Sequence, residues 1–253
     1  MSRSTVDAAS QEEKMGYRLT TTALLAGALL ALSAPVACAD ETAETEVAAV
    51  PPRTAISVRT SVGIGWGTAN EHESRSSLSL SKLFLADYAL RHGDGSAEDR
   101  SLGEQMIRYS DDGAASVMEA KYPQAIAAIA AEYGLAETTP GPNWGAGTTS
   151  AADVSDFLAT KLRTDPGSPI FEWMAAAGST ARDGTEQDWG TARWPFVLGT
   201  KWGWSDLGEP EVASTSYGPG FAVTAHTRGT SAEQTADVTA ALWAMITGVP
   251  LHR

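Results

Sequence analysis

The sequence predicts an α/β (α+β) protein in which strands from both ends of the chain share one sheet. Residues 55–68 alternate in hydrophobicity and carry β-branched side chains, which is typical of one or two opening strands. Near the other end, residues 194–204 and 219–227 show the same alternation, and an amphipathic helical pattern at 231–247 closes the chain. Because strands flank a helical middle, we expect the terminal strands to pair and the last helix to cover their sheet.

The middle of the chain is predicted to be helical. Pro123 should interrupt the longest helical segment, and Gly134 should end it. Ser150 is expected to cap a further helix that has Asp153 in its first turn. The predicted helices span 79–92, 102–108, 114–133, 151–162 and 169–177, and residues 137–148 are predicted to be a loop.

Residues 1–39 are predicted to be an export signal. The uncharged, mostly apolar run 19–34 ends shortly before small residues that fit a cleavage site after Ala39. The run is short for a stable membrane span, and no basic cluster follows it. The segment from Met15 resembles a signal more closely than the acidic residues before it, so translation is predicted to begin there. The mature protein is expected to be secreted or held in the cell envelope.

Cys38 is the only cysteine in the chain. Lipid anchoring at this residue is the less favoured alternative to free secretion, because Pro35 stands where a lipid-attachment box usually has leucine. Cleavage after Ala39 would leave a mature chain without disulfides, thiol catalysis or a cysteine-ligated metal. The acidic, proline-bearing segment 40–54 is predicted to be a tether, and residues 55–253 suffice for a single domain.

The charge balance excludes some partners. The chain has 18 Lys and Arg against 31 Asp and Glu, a formal net charge of −13. Such a surface would not attract a phosphate backbone or an anionic lipid, so no nucleic-acid partner is expected. The four histidines show no metal-ligand spacing, and a glycine-rich phosphate loop is absent from the sequence, so we expect neither a metal nor another cofactor.

Ser79 and Lys82 are the strongest candidates for chemistry. They stand three residues apart at the start of a predicted helix, so both side chains lie on one helical face. A serine hydroxyl becomes nucleophilic when a nearby base takes its proton. A lysine amine can be that base if burial or neighbouring charge lowers its pKa.

Two later segments, 110–112 (Ser-Asp-Asp) and 201–203 (Lys-Trp-Gly), complete a pattern. In this order the three segments resemble the S-x-x-K, S-D-N and K-T-G motifs of the penicillin-recognising serine acyl-transferases, meaning class A β-lactamases and D,D-peptidases. The segment 102–115 also looks like that family's second-motif region, and the resemblance covers most of residues 55–250. It implies a two-lobed fold, with an antiparallel sheet of N- and C-terminal strands, flanking helices and a trimmed helical subdomain.

The resemblance implies a role for each matching residue. Ser79 would be the acylated nucleophile and Lys82 its proton acceptor or relay. Ser110 would pass the proton to the leaving nitrogen, and Lys201 would hold a substrate carboxylate by its charge.

The same resemblance implies a substrate-binding set. The backbone N–H groups of Ser79 and of a residue near Trp204 would hold the oxyanion. Gly203 would let the substrate backbone lie against its strand, and Asp112 would stand beside the substrate.

Several positions depart from the family pattern. Asp112 replaces an asparagine that donates to a substrate carbonyl, and an anion there should raise the pKa of Lys82. Trp202 replaces a small hydroxyl residue, and strand alternation directs it away from the substrate face. The loop 137–148 offers only Glu137 where class A enzymes carry the glutamate that activates the deacylating water. A long-lived acyl-enzyme is therefore expected, not an efficient β-lactamase.

Two functions of different classes follow. The first is an exported serine hydrolase acting through a Ser79 acyl-enzyme on an envelope peptide or amide. Its substrate would be a small peptide, such as a cell-wall peptide, or a β-lactam-like molecule. The alternative is a catalytically silent envelope binding protein with the same fold, in which Trp144, Trp189, Trp202 and Trp204 line a groove for a peptide, glycan or protein.

Overall fold

The computed structural model describes residues 50–247, and five of its strands form one antiparallel sheet. The sheet has the order β2-β1-β7-β6-β5, so strands from both ends of the chain are neighbours, as predicted. A separate two-stranded ladder joins β3 to β4. The strands are β1 (Thr54–Thr60), β2 (Gly65–Gly67), β3 (Arg75–Ser76), β4 (Thr148–Thr149), β5 (Gly199–Trp204), β6 (Glu211–Gly218) and β7 (Phe221–Arg228).

Some of the predictions fall outside the described residues. These are the export signal at 1–39 with its start at Met15, the lipid-anchoring alternative at Cys38, and residues 40–49 of the predicted tether. β1 begins at Thr54, one residue inside the segment predicted as tether.

Seven helices lie between and after these strands in the described part of the chain. The predicted break at Pro123 separates α3 from α4, and Gly134 ends α4 in the left-handed conformation (φ 70°). α2 begins five residues earlier than predicted, because the Ser96 hydroxyl accepts a hydrogen bond from the N–H of Asp99. The helices are α1 (Ser81–His92), α2 (Ala97–Arg108), α3 (Asp112–Lys121), α4 (Ala125–Tyr133), α5 (Ala151–Thr164), α6 (Pro169–Ala175) and α7 (Ser231–Thr247).

Strand β6 has no counterpart in the sequence prediction. Its central residues are serines and threonines, not alternating apolar residues, yet they are fully buried. Their hydroxyls bond across the sheet, with Thr215 Oγ1 2.7 Å from Thr224 Oγ1 and Ser216 Oγ 2.8 Å from Thr200 Oγ1. The hydroxyl of Ser214 donates to Gln234 Oε1 of α7 at 2.7 Å. Because these buried hydroxyls all have partners, a segment with a polar sequence forms an interior strand.

The strand predicted at 194–204 is shorter in the structure. A 3-10 turn occupies Gly190–Arg193, and the strand begins only at Gly199. Pro195 lacks an N–H for a sheet ladder, and Phe196 adopts a left-handed backbone (φ 64°) that interrupts extended structure.

The sheet is covered on both faces. On one face, Val223 and Ala225 of β7 pack against Val238 of α7, as expected for the last helix. The other face contacts α5, where Ser155 Oγ donates to the backbone oxygen of Ser57 at 2.9 Å. The main apolar core joins the helices around α1. Within the described range, no helix is long and apolar enough to cross a membrane.

His226 is fully buried within this sheet. It lies on the same face of β7 as Thr224, and neither ring nitrogen has a hydrogen-bond partner among the described residues. Burial, together with the nearby guanidinium of Arg75, lowers the pKa of His226 to about 3. Between this pKa and its ordinary value of 6.5, the His226 ring is neutral in the folded protein and protonated in the unfolded chain.

This histidine should make the fold sensitive to acid. Because its pKa falls from 6.5 to about 3 on folding, the stability it supports is complete above pH 6.5 and is lost as the pH falls towards 3. The expected loss is about 1.4 kcal/mol per pH unit. In His226→Leu, the free energy of unfolding measured in urea should depend less steeply on pH over this range, by the same amount per pH unit. The exposed His72 offers a matched variant, His72→Gln, and equal slopes for the two variants would contradict the assignment.

Candidate active site

Three separate segments meet around Ser79. A 3-10 turn, Leu78–Leu80, leads into α1 and carries the serine, while the turn between α2 and α3 carries Ser110. Leu78 and Ser110 both have left-handed backbones, with φ of 50° and 52°. Side chains other than glycine rarely adopt this conformation, so the surrounding packing must hold both turns in place. The third segment is the edge strand β5.

Lys82 reaches the centre of this junction. Its side chain is fully buried, and Nζ lies 2.9 Å from Ser79 Oγ, 2.7 Å from the backbone oxygen of Ser110 and 3.3 Å from Ser110 Oγ. Asp112 Oδ1 lies 2.5 Å from the same amine, and the Trp144 ring centroid is 4.3 Å away. The structure thus brings together the predicted nucleophile, its predicted base and Asp112.

Lys201 approaches the same serine from the sheet. It is fully buried, and its Nζ donates to Ser110 Oγ at 2.7 Å and to the backbone oxygen of Trp202 at 2.8 Å. Ser110 Oγ therefore lies between two lysine amines. A hydroxyl in that position can accept a proton from one amine and donate its own to another atom.

Burial shifts both amines towards the neutral form. It lowers the pKa of Lys82 below the ordinary value, and Asp112 opposes the shift without reversing it. Asp112 does raise the pKa of Lys82, as the sequence analysis expected. The lowering caused by burial is larger, so the pKa of Lys82 as a whole lies below its ordinary value. Burial also lowers the pKa of Lys201 well below its ordinary value, and the charge of Lys82 adds to the effect.

Gly203 has a packing role that the sequence analysis did not predict. A Cβ at this position would lie 2.8 Å from the backbone nitrogen of Ser79 and 2.9 Å from Leu78 Cβ. The missing side chain therefore admits the turn that carries the nucleophile. This contact also places β5 beside the N–H of Ser79, where the oxyanion donors are predicted.

An open cavity of about 530 Å³ lies in front of Ser79, and we call it the groove. One wall is the loop before β4, and the other is the connection between β5 and β6. The lining residues are Ser76, Leu78, Ser79, Asp112, Asn143, Trp144, Gly145, Ala146, Trp204, Ser205, Asp206 and Leu207.

Two of the four tryptophans predicted to line a binding groove do so. Trp144 and Trp204 line it, whereas Trp189 and Trp202 are buried and pack with Val212. Trp202 Nε1 donates to the backbone oxygen of Trp189 at 2.9 Å. The alternation of β5 turns Trp202 away from Ser79, so this residue contributes to the core.

Glu137 does not reach the groove. Its Oε2 accepts from Ser150 Oγ at 3.4 Å and lies 3.6 Å from His72 Nδ1. Asp153, whose pKa burial raises to about 6, is likewise absent from the groove lining and accepts from Thr138 Oγ1 at 2.7 Å. Neither carboxylate lines the groove in front of Ser79.

The loop 178–187 was not anticipated from the sequence as part of the site. The N–H of Arg182 donates to the backbone oxygen of Tyr109 at 2.8 Å, which holds the loop against the Ser110 turn. Asp183 Oδ2 accepts from Trp204 Nε1 at 3.2 Å and thereby bonds to a wall of the groove. The sequence offers no motif around Asp183 that could have indicated this position.

No group of three or more His, Cys, Asp or Glu residues able to hold a metal ion occurs within residues 50–247.

No family model and no curated protein matches the chain. Solved structures do match it. Penicillin-binding protein D2 from Listeria monocytogenes, in its cefotaxime-bound form, is 18% identical with a TM-score of 0.57, and the match covers 76% of this chain and 96% of that one. The β-lactamase from Streptomyces albus G is 16% identical with a TM-score of 0.60, covering 76% and 93%. A penicillin-binding protein homolog from Mycobacterium tuberculosis is 18% identical with a TM-score of 0.53, covering 79% and 94%. The chain therefore has the β-lactamase/transpeptidase fold, as the three motifs predicted.

The close approach at Gly203 gives a test of the site's packing. Gly203→Ala should lower the free energy of unfolding by about 1–3 kcal/mol, because the new Cβ meets the backbone of the Ser79 turn. Gly167→Ala is the matched variant, since a Cβ there has nothing within 4 Å. Urea unfolding of both variants measures the difference, and equal stabilities would show that the turn can move aside without penalty.

Proposed function

We propose that this protein is an exported serine hydrolase of the β-lactamase/D,D-peptidase type, acting through a Ser79 acyl-enzyme on a peptide or amide of the cell envelope. The observation that carries the proposal is the 2.9 Å separation between Ser79 Oγ and the buried amine of Lys82, at the wall of an open groove. A neutral amine at that distance can accept the hydroxyl proton. Export is supported by the sequence pattern of residues 1–39.

Acylation would proceed by proton transfer around the two serines. Ser79 Oγ attacks the carbonyl carbon and gives its proton to Lys82 Nζ. The proton then passes through Ser110 Oγ, 3.3 Å from that amine, to the leaving nitrogen as the carbon–nitrogen bond breaks. The products are an ester on Ser79 and a free amine. Lys201, which donates to Ser110 Oγ, orients this hydroxyl for the relay.

Deacylation should be the slow step. A water must add to the ester carbonyl, and a base must take its proton. Glu137, the one candidate predicted for this role, and the nearby Asp153 both bond to other residues and do not line the groove, so neither is placed to activate this water. The site is therefore better suited to peptidase-like acyl transfer than to rapid β-lactam hydrolysis.

A catalytically silent binding protein is the competing function, and the bond between Lys82 and Asp112 favours it. An ionised carboxylate 2.5 Å from the amine stabilises the ammonium form, which cannot act as a base. In that case the groove between Trp144 and Trp204 would bind an envelope ligand without reacting.

Covalent labelling separates the two functions. Incubation of the protein with a penicillin or a neutral fluorophosphonate should add one probe mass to Ser79, read by intact-mass spectrometry. Ser79→Ala should abolish the adduct while the urea unfolding midpoint stays close to that of the unsubstituted chain. Ser77→Ala is the matched variant, because Ser77 is buried nearby but does not line the groove.

The lifetime of the penicillin adduct adds information on deacylation. An adduct that persists for hours fits the slow deacylation proposed above, whereas rapid turnover would require a deacylating base that the proposal lacks. The absence of adducts from both probes, in a folded protein, would favour the binding function.

Asp112 offers a second test of the same chemistry. Asp112→Asn removes the anion that opposes the lowered pKa of Lys82, so more of the amine is neutral at pH 7. We expect neutral fluorophosphonate to label Ser79 severalfold faster, because a larger fraction of the amine can accept the hydroxyl proton. Asp206→Asn, which changes the charge of the groove without touching Lys82, should leave that rate nearly unchanged. A slower reaction of Asp112→Asn would mean that Asp112 assists the base.

A further inference from the structure

The charges that face the groove are negative. Of its lining residues, the ionisable ones are Asp112, whose side chain is 60% exposed, and Asp206. Lysine, arginine and histidine do not occur in that lining. A ligand in the groove therefore meets carboxylates and tryptophan rings before it meets any cation.

Lys201 is poorly placed to attract an anionic ligand. Its side chain is fully buried, and two of its three N–H donors already reach Ser110 Oγ and the backbone oxygen of Trp202. Trp202 removes the hydroxyl that would share a carboxylate with the lysine. Burial also favours the neutral form of Lys201. A substrate carboxylate would find little compensation for its desolvation here.

Asp183 adds a third carboxylate at this end of the site. It bonds to Trp204 Nε1 at 3.2 Å, and its Oδ1 accepts from the N–H of Thr185 at 2.9 Å, which holds its orientation. Its charge acts on both buried amines, Lys82 and Lys201. The carboxylate of Asp183 thus already stabilises positive charge on the two lysines, a role that the carboxylate of an anionic substrate would otherwise have.

We infer that the groove favours substrates carrying a positive charge, an ammonium group, over those carrying a carboxylate near the scissile bond, so that a penicillin reacts with Ser79 but slowly. The inference rests on the proposed function, since it names the substrate class of that site. Asp183 and Asp206 are its specificity-determining residues. Like charges placed together in a partly desolvated groove disfavour binding, and opposite charges favour it. Trp204, which lines the groove, supplies an aromatic ring that suits an ammonium group.

A matched series of probes tests this selectivity. Three fluorophosphonates that differ only in a terminal trimethylammonium, hydroxyl or carboxylate group are reacted with the unsubstituted protein at low and high salt. Intact mass gives the second-order rate constant for each. We expect the ammonium probe to react at least about tenfold faster than the carboxylate probe, with the difference shrinking at high salt. Equal rates, or a faster carboxylate probe, would overturn the inference.

Three substitutions locate the source of the preference. Asp183→Asn and Asp206→Asn should each reduce the ratio of ammonium to carboxylate rates severalfold. Asparagine can still accept the N–H of Thr185, so the loop should keep its turn. Asp188→Asn is the matched control, because Asp188 is 62% exposed, pairs with Arg193 and does not line the groove. A ratio that falls equally in all three variants would mean that overall charge, not the groove, sets the preference.

A binding measurement separates failure of this inference from failure of the proposed function. Unreactive amide analogues of the ammonium and carboxylate probes are titrated into Ser79→Ala by calorimetry. If no fluorophosphonate labels Ser79, the proposed hydrolase is wrong, yet tighter binding of the ammonium analogue would still support the charge preference. Equal binding, tighter binding of the carboxylate analogue, or binding of neither would overturn it.

Discussion

Two lysine amines are buried beside one serine hydroxyl, and much of the surrounding structure compensates for their charge. Ser110 Oγ lies 2.7 Å from Lys201 Nζ and 3.3 Å from Lys82 Nζ. Two ammonium groups this close together and out of water repel one another, so at least one is driven towards neutrality. Asp112 and Asp183 stand near enough to stabilise whatever charge remains. The carboxylates near the groove therefore stabilise the lysine charges of the protein itself, in addition to any effect they have on a ligand.

The fold provides the rigid supports that such a cluster requires. α1 is buried on most sides near its start, with Leu83, Phe84 and Leu85 all buried, so its first turn is held by packing from several directions. β5 is the edge strand of the sheet and lies directly against that turn at Gly203. A nucleophile fixed by a buried helix and a base fixed on the same helix keep a constant separation, which is the condition for proton transfer between them.

The architecture and most of the cluster could be predicted from the sequence, because local patterns encode them. The order of the three motifs indicates that Ser79, Ser110 and Lys201 belong to one site. The helices and strands near them are predicted by hydrophobic periodicity and by capping residues. β6 could not be predicted, because its buried hydroxyls find partners only once β5 and β7 lie beside it. Asp183 could not be predicted either, since loop 178–187 reaches the site through backbone hydrogen bonds that carry no sequence signal. The net direction of the Lys82 pKa shift likewise depends on burial, a property of the assembled core.

Trp202 has a consequence for how this site can change over evolutionary time. Its ring fills space between Trp189 and Val212, and its N–H is satisfied there. Replacement by the small hydroxyl residue of the K-T-G pattern would leave a cavity, at a cost of about 3–5 kcal/mol. That is a large share of the stability of a typical domain. A protein carrying this tryptophan therefore cannot acquire the K-T-G pattern by this one substitution without also repacking its neighbours, so change at this motif position is constrained by the core as well as by the substrate.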